Sequence, residues 1–242
     1  MKKNNLKNDF SIGLFAFNAS SGVTLTKQKD RWQPSFERMK KLAILCDKSK
    51  FDFLLPIARW NDWSGLTNPH RNTYETISLM SSLAAITKKI NIFSTVHLPF
   101  VNPIFAARAS VTLNHISNGR IGLNLVCGWN KTEFEMFNVQ TKISSENRYT
   151  FGEEWLNAYK KLIYSNKIIN FKGKFIQFKN GQCFPKLLPK TKINFISAAF
   201  SEDGRKFAIK NCDILFTMFS SLDTLKKNNN HLRMLAKQHK RN

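Results

Sequence analysis

A chain of 242 residues can enclose one sizeable core, and at 42% hydrophobic and 12% aromatic it is globular rather than disordered. No apolar run reaches the roughly 18 residues of a membrane span, so no membrane partner is expected. The formal net charge of +22 invites a nucleic-acid reading. Against it, lysine far outnumbers arginine and the lysines run the whole length of the chain, whereas phosphate and base recognition lean on arginine's planar fork. The abundant Asn, Phe, Ile and Lys share A/T-rich codons, a sufficient cause of the charge, and no nucleic-acid partner is expected.

At the N-terminus, Lys2 and Lys3 precede an apolar stretch that loosely imitates a secretory signal, but Asn4, Asn5, Asn8 and Asp9 interrupt it. The stretch Ser11 to Phe17 reads instead as a first strand, followed by a polar loop from Asn18 to Gln33. Pro34 and Ser35 open a helix with Phe36, Met39, Ala43 and Cys46 as its buried stripe. Phe51 to Leu55 is a second strand, and the loop after it crowds Ala58, Arg59, Trp60 and Trp63 together. A helix over about Tyr74 to Lys88 turns Ile77, Met80, Leu83 and Ala84 inward, and Ile90 to Val96 forms a third strand with His97 at its end. Pro103 opens the next helix, whose expected stripe is Phe105, Ala109, Leu113 and Ile116, stopped by Asn118-Gly119.

Ile121 to Cys127 is short, apolar and closed by Gly128, the pattern of a parallel strand buried on both faces. A helix over about Glu146 to Tyr164 buries Phe151, Trp155, Tyr159 and Leu162, and Phe171 to Phe178 reads as a β-hairpin insertion. Ile193 to Ser197 is a fifth strand of the main series, and Ser201-Glu202-Asp203 has N-cap character before a helix reaching Lys210. Asp213 to Met218 is the sixth strand. Beyond it a basic stretch spaced by Leu222, Leu225, Leu232 and Leu235 reads as a helix pair around Asn228-Asn229-Asn230. The whole is expected to be one domain: barrel units over 10–219, the hairpin at 171–178, and a helical tail over 220–242.

Six β-α repeats with short strands indicate a parallel α/β barrel or an open doubly wound sheet. No G-x-G-x-x-G follows the first strand and no P-loop is present, which favours a barrel with its site at the strand carboxyl ends. Six units do not close an eight-stranded barrel, so the chain is expected to stop short of closure. The four cysteines lie far apart without C-x-x-C spacing, as suits free thiols in a reducing cytoplasm. The five histidines show no metal-ligand spacing, and no metal is expected.

The polar residues behind the strands are Arg59, His97, Asn130, Glu133, Arg148, Tyr149 and Ser201. Arg148 and Tyr149 at a helix start, with Ser201 capping another, would suit one phosphate; ordinary capping and a surface ion pair are the alternative. Arg59 would face a ring or an anion, or simply stack on indole. His97 is either an acid/base or a satisfied core histidine. Asn124, in mid-strand, is either a ligand contact or a buried hydrogen-bonding amide.

Three runs, FDFLLPIARW, TVHLPFVNPIFAARASVTLNHISNGRIGLNLVCGWNKTEFEMF and RYTFGEEWLNAYKKL, resemble the bacterial-luciferase-like flavin-dependent monooxygenases. The likeness is greatest to the branch of alkanesulfonate, dimethylsulfone and pyrimidine-ring-opening monooxygenases, and it extends over about Ile12 to Phe219. It implies a TIM-like (β/α)8 barrel, of which about six β/α units are present and the last units are missing. It also implies a cytoplasmic enzyme that binds reduced FMN supplied by a separate flavin reductase, reacts with O2 through a flavin peroxide, and oxygenates a small organic substrate, as a homo-oligomer. Carried over position by position, Ala58, Arg59, Asn124, Glu133, Arg148, Tyr149 and Ser201 would contact FMN, and Arg59 and His97 would serve catalysis. Relatives often carry Gly just before the phosphate-binding serine; here Phe200 stands there and is expected to narrow the site. A six-unit chain that is an inactive flavin-binding remnant, or a subunit completed by another chain, is the alternative.

Overall fold

The computed structural model describes residues 10–139, 143–144 and 146–241; the signal-like features at Lys2, Lys3 and Asn4 to Asp9 lie outside them. In chain order the elements are β1 (Gly13–Phe15), α1 (Phe36–Lys48), β2 (Phe53–Leu55), α2 (Thr76–Ile86), β3 (Asn91–His97), α3 (Pro103–Ile116), β4 (Ile121–Val126), α4 (Lys131–Met136) and α5 (Arg148–Tyr164). There follow β5 (Ile169–Lys172), β6 (Gln177–Gly181), β7 (Asn194–Ala198), α6 (Glu202–Asn211), β8 (Ile214–Phe216) and α7 (Leu222–Gln238). All six main strands are parallel, in the order β1-β2-β3-β4-β7-β8, as six consecutive units of a β/α barrel would lie. β5 and β6 pair antiparallel as the separate hairpin, with the rings of Phe171 and Phe178 stacked across it.

The sheet curves round a lumen. Phe15, Phe53, Leu55, Phe93, Ile196, Ile214 and Phe216 form one apolar cluster there, apart from the larger cluster between sheet and helices. Pairing register explains how so many rings fit. Phe93 sits beside Gly122 on the neighbouring strand, and a Cβ on Gly122 would come 2.1 Å from the Phe93 ring. Across the open side, Phe15 of β1 and Phe216 of β8 bring their ring centroids to 5.0 Å, although those edge strands share no ladder.

The helices are set by their caps. Ser35, Asn102, Asn130, Ser201 and Ser221 each accept a backbone N–H of the first turn, and Glu75 accepts two. The α3 stripe differs from the expected one. Ala106, Ala107, Ser110, Val111, Leu113 and Asn114 are buried, whereas Phe105 and Ile116 are exposed. α3 lies against both α2 and α5, and small residues allow that close approach better than a phenyl ring. Phe36 of α1 is likewise exposed. The short α4 was not anticipated, α5 starts at Arg148 rather than Glu146, and the tail is one helix running through Asn228 to Asn230, not a pair. All four cysteines are free and buried, and no helix among the described residues is long and apolar enough to cross a membrane.

At the amino-terminal end of the sheet two charged side chains bind the helix ends together. Asp47 accepts the N–H groups of Lys88, Lys89 and Ile90, each at 2.8 Å. Arg120 donates to the carbonyls of Ala84, Thr87, Ile90 and Ser117. Burial raises the Asp47 pKa, but the three N–H donors and Arg120 outweigh it and hold the carboxyl below its ordinary 3.8. A depressed carboxylate stabilises the fold above its unfolded pKa and loses that contribution as pH falls through the folded value. Asp47→Ala should therefore lower urea-unfolding stability by about 1–3 kcal/mol at pH 7. The gap from wild type should narrow in melts as pH falls from 3.8 through the lower native value, where the folded carboxylate protonates.

Candidate active site

The segment after β4 gathers the loops above the carboxyl end of the sheet. Gly128, at φ +91°, turns the chain out of the strand. Its carbonyl lies 3.5 Å from Nη1 of Arg148 at the start of α5. Trp129 packs over Arg59, with the guanidinium carbon 4.8 Å from the ring centroid, and Asn130 donates to Asn61 Oδ1 at 3.0 Å. Glu133, on α4, is 2% exposed. Its Oε1 accepts the Trp60 backbone N–H at 3.0 Å and lies 3.6 Å from Arg59 Nη1, while Oε2 lies 3.6 Å from His97 Nδ1. The sequence brings these residues here because each follows the end of a parallel strand: Arg59 after β2, His97 at the tip of β3, Glu133 after β4.

Arg59 stacks on indole, one of the two arrangements expected of it: on Trp63, one of its loop neighbours, at 5.0 Å, and on Trp129 from the loop after β4, while Trp60 meets Phe137 edge-on. Its side chain is 6% exposed. His97 is 4% exposed, and burial, with the Arg59 charge beside it, pushes its pKa down to about 3, so the imidazole is neutral at physiological pH. Asn124 faces the lumen side of β4, and its amide donates to Thr95 Oγ1, its register partner on β3, at 3.2 Å. Ala58, Arg59, Thr76, Thr95 and His97 line a cleft of about 180 Å³.

A second group stands at two helix N-termini. Tyr149 Oη is 3.1 Å from Ser201 Oγ, and Ser201 Oγ accepts the Gly204 N–H as the cap of α6. Gly204 permits this approach, because a Cβ there would stand 2.7 Å from Tyr149 Oη. The Arg148 guanidinium lies over the Tyr149 ring at 4.9 Å. Arg148, Tyr149 and Ser201 are thus brought together as their pattern suggested, and through Gly128 they join the Arg59–Glu133 group. Phe200 is 54% exposed and belongs to neither hydrophobic cluster, so the structure gives no sign of the narrowing expected of it.

Two contributors escaped the sequence reading. His70 is buried at φ +64°, with Nε2 2.5 Å from the Gly22 carbonyl and Nδ1 accepting the Trp63 indole N–H at 3.1 Å, which holds Trp63 against Arg59. Asn18 bonds Ile57 through both its amide and its oxygen, and Tyr74 as well, tying the loop after β1 to the loop after β2. A lone His or Asn in a polar loop carries no periodic signal; only an unusual backbone requirement marks such positions.

The donor set has room for a ligand. Among the described residues, the buried Arg59 Nε, Asn124 Oδ1 and Arg148 Nε have no hydrogen-bond partner. The two guanidinium N–H groups suit an anion and the Asn124 oxygen suits a ring N–H, a combination that fits a polar, anionic, ring-bearing group of the flavin kind.

Residues 10–242 match the family described as luciferase-like monooxygenase. The pyrimidine monooxygenase RutA of Serratia proteamaculans is 31% identical over 214 residues, covering 88% of this chain and 58% of that protein, and RutA of Acinetobacter baylyi is 30% identical, covering 88% and 57%. This chain therefore spans less than two thirds of the length of these relatives. Among solved structures, DmoA from Hyphomicrobium sulfonivorans superposes with a TM-score of 0.84 at 17% identity, covering 96% of this chain and 57% of that one. The long-chain alkane monooxygenase LadA superposes at 0.81 and 22% identity, covering 98% and 62%. With its six parallel strands in barrel order and a match that runs from Phe10 to the last residue, the chain belongs to the luciferase-like monooxygenase family.

Proposed function

We propose that this chain forms the flavin site of a monooxygenase that uses reduced FMN and O2 to oxygenate a small organic substrate. The observation that carries the reading is the set of buried polar atoms on Arg59, Asn124 and Arg148 that find no partner among the described residues, together with the Tyr149–Ser201 pair at the α6 N-terminus. In this reading Arg148, Tyr149 and Ser201 hold the phosphate, where a guanidinium and free helix N–H groups favour an anion. Asn124, Ala58 and Arg59 border the ring system, with Trp63 and Trp129 excluding water around Arg59. Reduced flavin with O2 supplies the oxygen-transfer chemistry. Arg59 stabilises negative charge as it develops. His97, being neutral, serves as a hydrogen-bonding group rather than as a charged acid.

A pyrimidine is the first substrate to test, on the likeness to the RutA proteins. A separate flavin reductase would supply the cofactor. The exposed Phe105 and Ile116 of α3 are consistent with self-association. A second reading is favoured by the two sheet edges at β1 and β8: a flavin-binding subunit that turns over only when another chain pairs with those edges. Flavin binding without turnover by the chain alone would select it.

Calorimetric titration is expected to show saturable binding of FMN. Arg148→Ala should weaken it by about 10–100-fold and Ser201→Ala by several-fold less, with riboflavin affinity unchanged because it lacks the phosphate. Loss of riboflavin binding in parallel would place Arg148 away from the phosphate. The pH profile of kcat should show no limb near the ordinary imidazole value of 6.5 that disappears in His97→Gln, since His97 protonates only near pH 3. That variant should lower kcat by about 100-fold at every pH tested.

A further inference from the structure

The carboxylate of Glu133 is turned into the protein. Oε1 is bound by the Trp60 N–H and faces Arg59; Oε2 faces Nδ1 of His97. Both neighbours, the Arg59 guanidinium and the neutral His97 imidazole, are nearly as enclosed as Glu133, with side chains 6% and 4% exposed against 2%. The resemblance to flavin enzymes assigns Glu133 to the cofactor, yet the groups surrounding its two oxygens belong to the chain.

A neutral imidazole has two tautomers, and the carboxylate chooses between them. A bare Nδ1 would aim its lone pair at an anionic oxygen 3.6 Å away, which is repulsive; an Nδ1–H would aim a positive hydrogen at it. Low effective dielectric around buried groups strengthens that preference. With Nδ1 carrying the proton, Nε2 is the bare nitrogen. Phe100 packs edge-on to the ring at 5.4 Å and restricts its rotation.

We propose that Glu133 is a positioning residue: it pins the Arg59–Trp60 loop and holds His97 as the Nδ1–H tautomer, so that Nε2 accepts a hydrogen bond from an N–H or O–H group of the molecule bound at the strand ends. Only the kinetic part of this inference rests on the flavin reading. The tautomer is a property of the flavin-free protein.

The test is two-bond 15N–1H correlation NMR of the flavin-free full chain at pH 7.5, with the His97 signals assigned through His97→Gln. In wild type Nδ1 should be the protonated nitrogen. Glu133→Gln keeps an acceptor oxygen for the Trp60 N–H, and it should lower the Nδ1–H population at least about threefold, with partial recovery in Glu133→Asp. Given substrate and reduced FMN, Glu133→Gln should lower kcat about tenfold or more while FMN affinity changes less than about threefold. An Nε2–H tautomer in wild type overturns the proposal, and does so even if the variants fail to fold. So does an unchanged tautomer in Glu133→Gln with FMN affinity weakened about tenfold, which would make Glu133 a direct flavin contact. Absence of FMN binding by wild type would refute the flavin reading while the tautomer still decides this one.

Discussion

One buried carboxylate holds the upper loops of this fold in relation to one another. Glu133 meets a backbone N–H and two side chains that follow different strands, and it is almost wholly removed from water. Burying an anion is costly unless charge and hydrogen bonds compensate it. Here the compensation comes from Arg59 and the Trp60 N–H, so the loops after β2 and β4 hold their relative positions or Glu133 is left uncompensated. Arg59 in turn is held by two indoles, and one of these by His70, which reaches back to the loop after β1. The constraint therefore spreads from one carboxylate to the tops of four strands.

The lower end of the sheet is built on the same principle with opposite geometry. There Asp47 takes backbone donors and Arg120 takes backbone acceptors, so backbone groups at and just beyond the carboxyl ends of α2 and α3 are satisfied by side chains. Between the two ends lies the lumen, where Gly122 gives its space to Phe93. Rigidity below and in the middle lets the loops above carry unmet polar atoms, a cost that a bound ligand would recover.

The second half of the site follows from helix termini. Tyr149 and Ser201 come from α5 and α6, more than fifty positions apart, and meet because parallel β/α units deliver every helix start to the same side of the sheet. Gly204 matters for the same reason: the Tyr149 hydroxyl occupies the place a side chain would take.

Much of this was legible in the order of residues. Strand and helix alternation, the Ser35 and Ser201 caps, the Asn118-Gly119 stop and the grouping of Arg148, Tyr149 and Ser201 are local or topological signals, and a short-range pattern suffices to carry them. The residues of α5 that face inward were readable from helical spacing. Which face of α3 is buried was not, because α3 is apolar on more than one side and its packing against α2 and α5 selects the small residues. Nor was the aromatic partner of Arg59, since Trp60, Trp63 and Trp129 are chemically equivalent until the loops are placed. The orientation of Glu133 into the protein, the neutral state of His97 and the bracing by His70 and Asn18 were decided only by tertiary structure: each depends on distances between residues far apart in the chain, and on a burial that no single segment possesses by itself.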